Sequence, residues 1–295
     1  MNTATATTPS APSAAEVELR RSVINVDDVA IRCLEAGTGS PVVYLHGSEG
    51  LRLSITHRAI AQSHRLIALE LPGFGWTPAR TAHDGARASN HGARTTYDGS
   101  RTAYDGARAM AATVARALDS LGIEACAFMG HALGADVALW LAIDRPALAT
   151  SLILLAPTAI RPVDSGISGK PPLTVPAPNP AHLWFSEPDA NGEPAHAQQA
   201  APPSGGPARD AEFEKAMAGI AVPVLALFGT RSTVVSTDAA RLYSTLLPKC
   251  FTTMVYDAGH DIDLDRPDAV TAVVKNFLQH GETFIVNRDN AIINP

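Results

Sequence analysis

Cysteine is scarce in this chain of 295 residues, which has only Cys33, Cys126 and Cys250. Three scattered cysteines exclude a disulfide framework and a cysteine-built zinc site. Each lies in an apolar run, so buried free thiols in a reducing compartment are expected. An excess of basic charge is also missing. The net charge is −6, which leaves no electrostatic footprint for nucleic acid. No apolar run reaches the roughly 18 residues that a membrane-crossing helix needs. The start, "MNTATATTPSAPSAAEVELRR", has no basic segment followed by an apolar core. It is expected to be a small-residue tail and not a secretion signal, in a cytoplasmic protein. The histidines show no metal-ligand spacing, and no cofactor or metal is expected.

What is present is the composition of a globular domain, 46% hydrophobic and 18% charged. Residues 1–18 are read as a disordered tail. Two β-rich runs, Ser22 to Val26 and Val29 to Ala36, are joined by a turn at Asp27-Asp28. Short apolar strands follow: "PVVYLHG", "HRLIALELPG", "ACAFMG", "TSLILLAP", "VPVLALFG" and "FTTMVYDAGH". Amphipathic helices are predicted at Arg108 to Leu121, Leu133 to Ile143, Asp238 to Leu247 and Pro267 to His280. Continuous apolar strands alternating with helices predict an α/β fold with a mostly parallel sheet covered on both faces. The core is assigned to 19–160 and 210–280, with a tail at 281–295.

Two segments break the rhythm. Within 80–108, HDGAR from His83, NHGAR from Asn90, YDGSR from Tyr97 and YDGAR from Tyr104 repeat at seven-residue spacing. Each copy carries a glycine, which costs about 1 kcal/mol in a helix interior. No apolar seam offsets that cost. A surface excursion leading into the following helix is expected, with a lid extension or partner-binding arm as the functional alternative. The second break, 161–209, is dense in Pro, Gly, Ser and Ala. It is too long for a plain loop and is assigned as a cap. Trp184 and Phe185, in its one apolar island, are the candidate substrate-facing residues.

The strand ends carry "YLHGSEG", "LPGFGWT", "MGHALGA", "FGTRSTVV" and "AGHDIDLDRP" in that order. Together these resemble the α/β-hydrolase superfamily, and within it the small-molecule esterases and carbon–carbon bond hydrolases. The resemblance covers about Val23 to Gln279, outside the repeats and most of the cap. In that family a G-x-S-x-G elbow lifts a nucleophilic serine above the sheet edge. An acid orients a histidine, and the histidine takes the serine's proton. The resemblance places elbow glycines at Gly130 and Gly134, with His131 between them. It places oxyanion-hole N–H groups on Ser48 and Leu133, and the base at His260.

The sequence departs from this pattern twice. The nucleophile position is Ala132, and the acid position is Ser232. Loss of the nucleophile costs on the order of 10⁶ in turnover. Loss of the orienting acid costs about 10⁴. These losses do not add, but ordinary acyl-enzyme chemistry is expected to be absent. Three readings follow. The first is a hydrolase-derived protein that binds a small apolar carbonyl compound. The second is a noncanonical enzyme using His260 as general base, with the Ser232 hydroxyl accepting from its Nδ1–H. The third is an interaction protein using the repeats and cap.

Other candidates have plainer expected roles. Ser48 is expected to act through its N–H, and Cys126 to be a core thiol. Asp238 is read as a capping or first-turn residue. Asp261, Asp263 and Asp265 are read as helix-starting or solvated. Glu70 is expected to be structural, His46 to shape its loop, and His131 to point away from the chemistry.

Overall fold

A computed structural model describes residues 17–78, 103–160, 179–186 and 210–283. Two antiparallel strands, β1 (Arg20–Val26) and β2 (Val29–Ala36), meet at a turn where Asp27 takes φ 51°. The chain then alternates strands and helices, as the apolar runs predict. It passes through β3 (Pro41–Leu45), β4 (Arg52–Ser54), α1 (Ile55–Ala61), β5 (Arg65–Leu69), α2 (Ala103–Ser120), β6 (Cys126–His131) and α3 (Leu133–Asp144). Next come β7 (Ala149–Leu155), β8 (Leu183–Ser186), α4 (Ala211–Met217), β9 (Val224–Gly229) and α5 (Ala239–Leu246). The last elements are β10 (Cys250–Val255), α6 (Ile262–Asp265) and α7 (Pro267–His280).

Eight strands form one sheet in the order β1-β2-β5-β3-β6-β7-β9-β10. Pairing from β5 through β10 is parallel, and β2 joins β5 antiparallel. The central strands are buried on both faces, so they read as unbroken apolar runs. One face packs Phe128, Leu152 and Phe228 in a core with Val114, Leu118, Leu139 and Tyr243 of α2, α3 and α5. The other packs Met129, Ile153 and Leu225 with Ile60 of α1 and Val274 and Phe277 of α7. Strands β3, β6, β9 and β10 run parallel, so the loops at their C-terminal ends converge on one edge. That edge is where open α/β sheets place their sites.

The two irregular segments differ from expectation where they are described. Helix α2 begins at Ala103, before the last repeat copy and not after it. Packing explains the tolerance of Gly106 there: Ala107, Ala111 and Val114 are buried against the sheet, which offsets the local cost of a glycine. The first three copies lie outside the described residues. So does most of the 161–209 cap. Of that segment, Pro180–His182 form one 3-10 turn leading into β8, which pairs antiparallel with β4. The cap island is therefore a strand laid against the loop after β3. Residues 1–16 and 284–295, assigned as tails, are also outside the described residues.

Candidate active site

The turn between β6 and α3 has the geometry of a nucleophile elbow. Ala132 sits at its apex with φ 47° and ψ −111°, in the left-handed half of backbone space that costs a non-glycine residue energy. Close packing holds it there. A Cβ on Gly130 would collide with the Gly134 and Ala135 backbone. A Cβ on Gly134 would collide with the carbonyls of Leu45 and His46. Ala132 N–H is bonded to Leu155 O at 2.9 Å. The strained backbone is complete, but its side chain is a methyl, 4% exposed. Leu133 opens α3, so its N–H has no intrahelical acceptor.

Loops from β3 and β5 frame the elbow. His46 Nε2 accepts from Leu71 N–H at 2.9 Å, and its Nδ1–H donates to Gly47 O at 2.6 Å. Burial lowers its pKa to about 4, which keeps the ring neutral for this bridging role. Glu70 accepts from the N–H groups of Trp76 and Thr77 and from the Thr77 hydroxyl. Both residues shape loops.

His260 follows β10, as the motif requires, but among the described residues its buried Nδ1 has no hydrogen-bond partner. Ser232 does not supply one. Its Oγ accepts from the N–H groups of Val234 and Val235 at 3.3 and 3.2 Å, a local turn that occupies the oxygen. The expectation that Ser232 orients His260 is thus not met. Burial, with a further contribution from the neighbouring His131 charge, lowers the His260 pKa to about 3. It is a neutral, unoriented ring.

Beside Ala132 lies a buried cluster of charges. His131 does not point away: its ring is 5.0 Å from that of His260, and Nε2 is 3.1 Å from His260 O. Nδ1 stands 3.6 Å from Glu49 Oε2, and Nε2 stands 3.7 Å from Asp261 Oδ1. Arg52 donates to Asp261 Oδ1 at 3.2 Å and lies 3.9 Å from Glu49 Oε2. Burial alone would lower the His131 pKa, but Glu49, Asp261 and Asp263 raise it to about 9. Burial would raise that of Glu49, but His131 and Arg52 hold its carboxyl well below the usual carboxylate range. At Asp261 burial wins, and the carboxyl lies above its ordinary value despite His131 and Arg52.

Asp263 and Asp265 lie in the first turn of α6, as helix-starting residues, and both are built in, whereas Asp238 is exposed. Asp263 is 5% exposed and 3.7 Å from His57, while Asp265 accepts from Gly259 N–H at 2.6 Å. Asp238 takes the N-cap position of α5 without a side-chain capping bond.

Ligand-type atoms of Glu49, His131 and Asp261 lie within 4.8 Å of one another. The two carboxylates, however, face opposite ring nitrogens, and Arg52 already neutralises them. This is an ion-pair cluster rather than a coordination shell. The space lined by Tyr44, Arg52, Ser54, His131, Asp261, Asp263 and Leu264 is about 10 Å³, at most about one water. Trp184 and Phe185 do not line it. Phe185 is 9% exposed, lies opposite Leu53 across the β4–β8 ladder and has the Arg21 guanidinium 5.2 Å from its ring. Trp184 packs against the same core. Their placement corrects the substrate-contact expectation: a strand paired with β4 turns these apolar faces inward.

A family model for the alpha/beta hydrolase fold matches residues 40–185, and the sheet order, elbow and histidine loop are those just described. The chain belongs to the α/β-hydrolase superfamily. Among its relatives is a dihydrolipoyllysine-residue acetyltransferase component of an acetoin cleaving system from Cupriavidus necator. It is 31% identical over 45% of this chain and 31% of its own length. A protein of Pseudomonas savastanoi pv. phaseolicola named as a carbamate hydrolase, RutD, is 52% identical over 16% of this chain and 18% of its own. The chain therefore matches less than a third of the length of these curated relatives. Naproxen esterase (carboxylesterase NP) from Bacillus subtilis superposes with a TM-score of 0.63 at 16% identity, covering 90% of this chain and 93% of the esterase. At that identity the likeness speaks to the fold.

Within that superfamily fold, the chain has the elbow turn at Ala132 and His260 after β10, with a charged cluster beside them. Sequence reasoning missed Glu49 and Arg52 and misdirected His131; Asp261 starts α6 as expected, but its pairing with Arg52 and His131 was not foreseen. One signal was available. Charged residues in "HGSEGLRL" sit between two apolar elements, where full burial is rare unless they are paired. Cys126 is a core residue, with burial pushing its thiol up to about 12. Among the described residues no helix is long and apolar enough to cross a membrane.

Proposed function

We propose that this chain is a non-hydrolytic member of the superfamily, one that binds a small apolar carbonyl compound without cleaving it. The observation that carries this reading is Ala132, a methyl group at the apex of an otherwise complete elbow. An acyl-enzyme needs a nucleophilic atom there. The unpartnered Nδ1 of His260 supports the same reading and weighs against His260 as a general base, since a base needs an orienting partner. The Leu133 and Ser48 N–H groups would receive the ligand's carbonyl oxygen. Three free cysteines agree with a cytoplasmic location.

The test is hydrolysis of a panel of activated aryl esters by the unmodified protein and by the double variant Ala132→Ser with Ser232→Asp. Turnover by the double variant alone supports the proposal. Turnover by the unmodified protein that His260→Ala abolishes overturns it in favour of general-base catalysis.

A further inference from the structure

His131 occupies the point where three loops meet. It belongs to the elbow. Its Nδ1 faces Glu49 of the loop after β3, and its Nε2 faces His260 O and Asp261 Oδ1 of the loop after β10. Both nitrogens face oxygen acceptors. A neutral imidazole has one N–H and one lone pair, so it would turn a bare nitrogen toward one of these oxygens. Only the doubly protonated ring suits both sides. With Arg52 paired to the same two carboxylates, the cluster holds two cations and two anions. It is neutral as a whole, and loss of one cation would leave an uncompensated buried charge, which is strongly unfavourable.

Among the described residues, the surrounding groups offer no replacement cation. His46, His57 and His260 are neutral rings, their pKa values lowered by burial to about 4, 4 and 3. Burial keeps the Tyr44 hydroxyl protonated, and Asp263 adds to the pull on His131.

We propose that the His131 imidazolium is a latch, pinning the loop at 46–51 and the loop at 256–261 to the elbow, and that its neutralisation opens those loops locally while the sheet stays folded. This does not depend on whether any ligand enters the site, so it stands or falls apart from the proposed function.

The experiment is a pair of pH titrations on the full chain between pH 6 and 10. One follows the His131 ring by NMR. The other follows amide exchange in 46–52 and 256–265, corrected for intrinsic base catalysis. A His131 midpoint near 9 is expected, with loop exchange rising through the same midpoint and the amides of β6 and β7 remaining protected. Glu49→Gln should lower the proton affinity of His131 at least about tenfold and move loop opening with it. Asp261→Asn gives an independent second variant. Should neither variant fold, the two midpoints in the unmodified chain decide the matter. Titration of His131 in the ordinary imidazole range overturns the proposal, as does loop exchange that ignores its midpoint. Stoichiometric Zn²⁺ binding that displaces the His131 proton also overturns it, because the cluster would then be a metal site.

Discussion

Glu49 Oε2 and His131 Nδ1 stand 3.6 Å apart beside the methyl group of Ala132, an ion pair too long for a hydrogen bond. A Cβ on Gly47 would collide with Glu49 Oε2 and stand 2.7 Å from His131 Nδ1, while touching Ala132 Cβ at an ordinary 3.4 Å. The charged pair and the elbow therefore share one packed space.

Stability should peak near pH 6.5. Below it, the unfolded chain protonates His46, His57 and His260 at ordinary values, while the folded chain holds them neutral down to about 4, 4 and 3. The unfolded state binds more protons there, so stability falls with pH at about 1.4 kcal/mol per pH unit per histidine. Glu49, depressed in the fold, adds its own loss at lower pH, and the raised Asp261 offsets part of it. On the alkaline side, His131 is raised to about 9. Its contribution is complete below 6.5 and is lost as pH rises through 9. Urea midpoints measured from pH 4 to 9.5 should trace this dome, and a flat profile would contradict it.

Arg52→Leu should destabilise the fold by about 3–5 kcal/mol, because it leaves the buried carboxylates of Asp261 and Glu49 with His131 as the one cation among the described residues that faces both. Adding Glu49→Gln should recover part of that loss. Chemical denaturation of the three proteins checks both statements, and simple additivity of the two changes would contradict the shared network.

Gly134→Ala should cost at least about 3 kcal/mol or prevent folding, since its Cβ meets the backbone carbonyls of Leu45 and His46. Gly50→Ala is the contrast. Nothing lies near its Cβ, so only its positive φ of 84° resists the change. Thermal unfolding should rank the two clearly.

Ser232→Ala should cost about 1–2 kcal/mol through the freed N–H groups of Val234 and Val235. It should leave the NMR titration of His260 unmoved, because the two side chains share no hydrogen bond. A shift in His260 on this substitution would show that Ser232 orients it after all.

Much of the fold was legible because it is local. Six apolar runs became the six parallel strands, and Pro267 to His280 is a helix with the predicted bounds. The glycines of "MGHALGA" could be read as an elbow because backbone collisions, not distant contacts, demand them. Ala132 at the apex of that turn was equally legible, since it is a matter of which residue stands at one position. The start of α2 was misread because the local cost of Gly106 is outweighed by burial of its neighbours.

By itself, the sequence determined the order of strands and helices, the elbow glycines, and that Ala132 and Ser232 stand where the family resemblance expects a serine and a carboxylate. Only the tertiary structure decided what surrounds them. It packed Phe185 opposite Leu53, left His260 Nδ1 without a partner and turned His131 inward between Glu49 and Asp261. These residues lie up to some two hundred positions apart in the chain (Arg52 and Asp261 are separated by 209). Period and propensity act over a few residues, whereas burial and charge pairing depend on which loops the parallel sheet brings to the same edge.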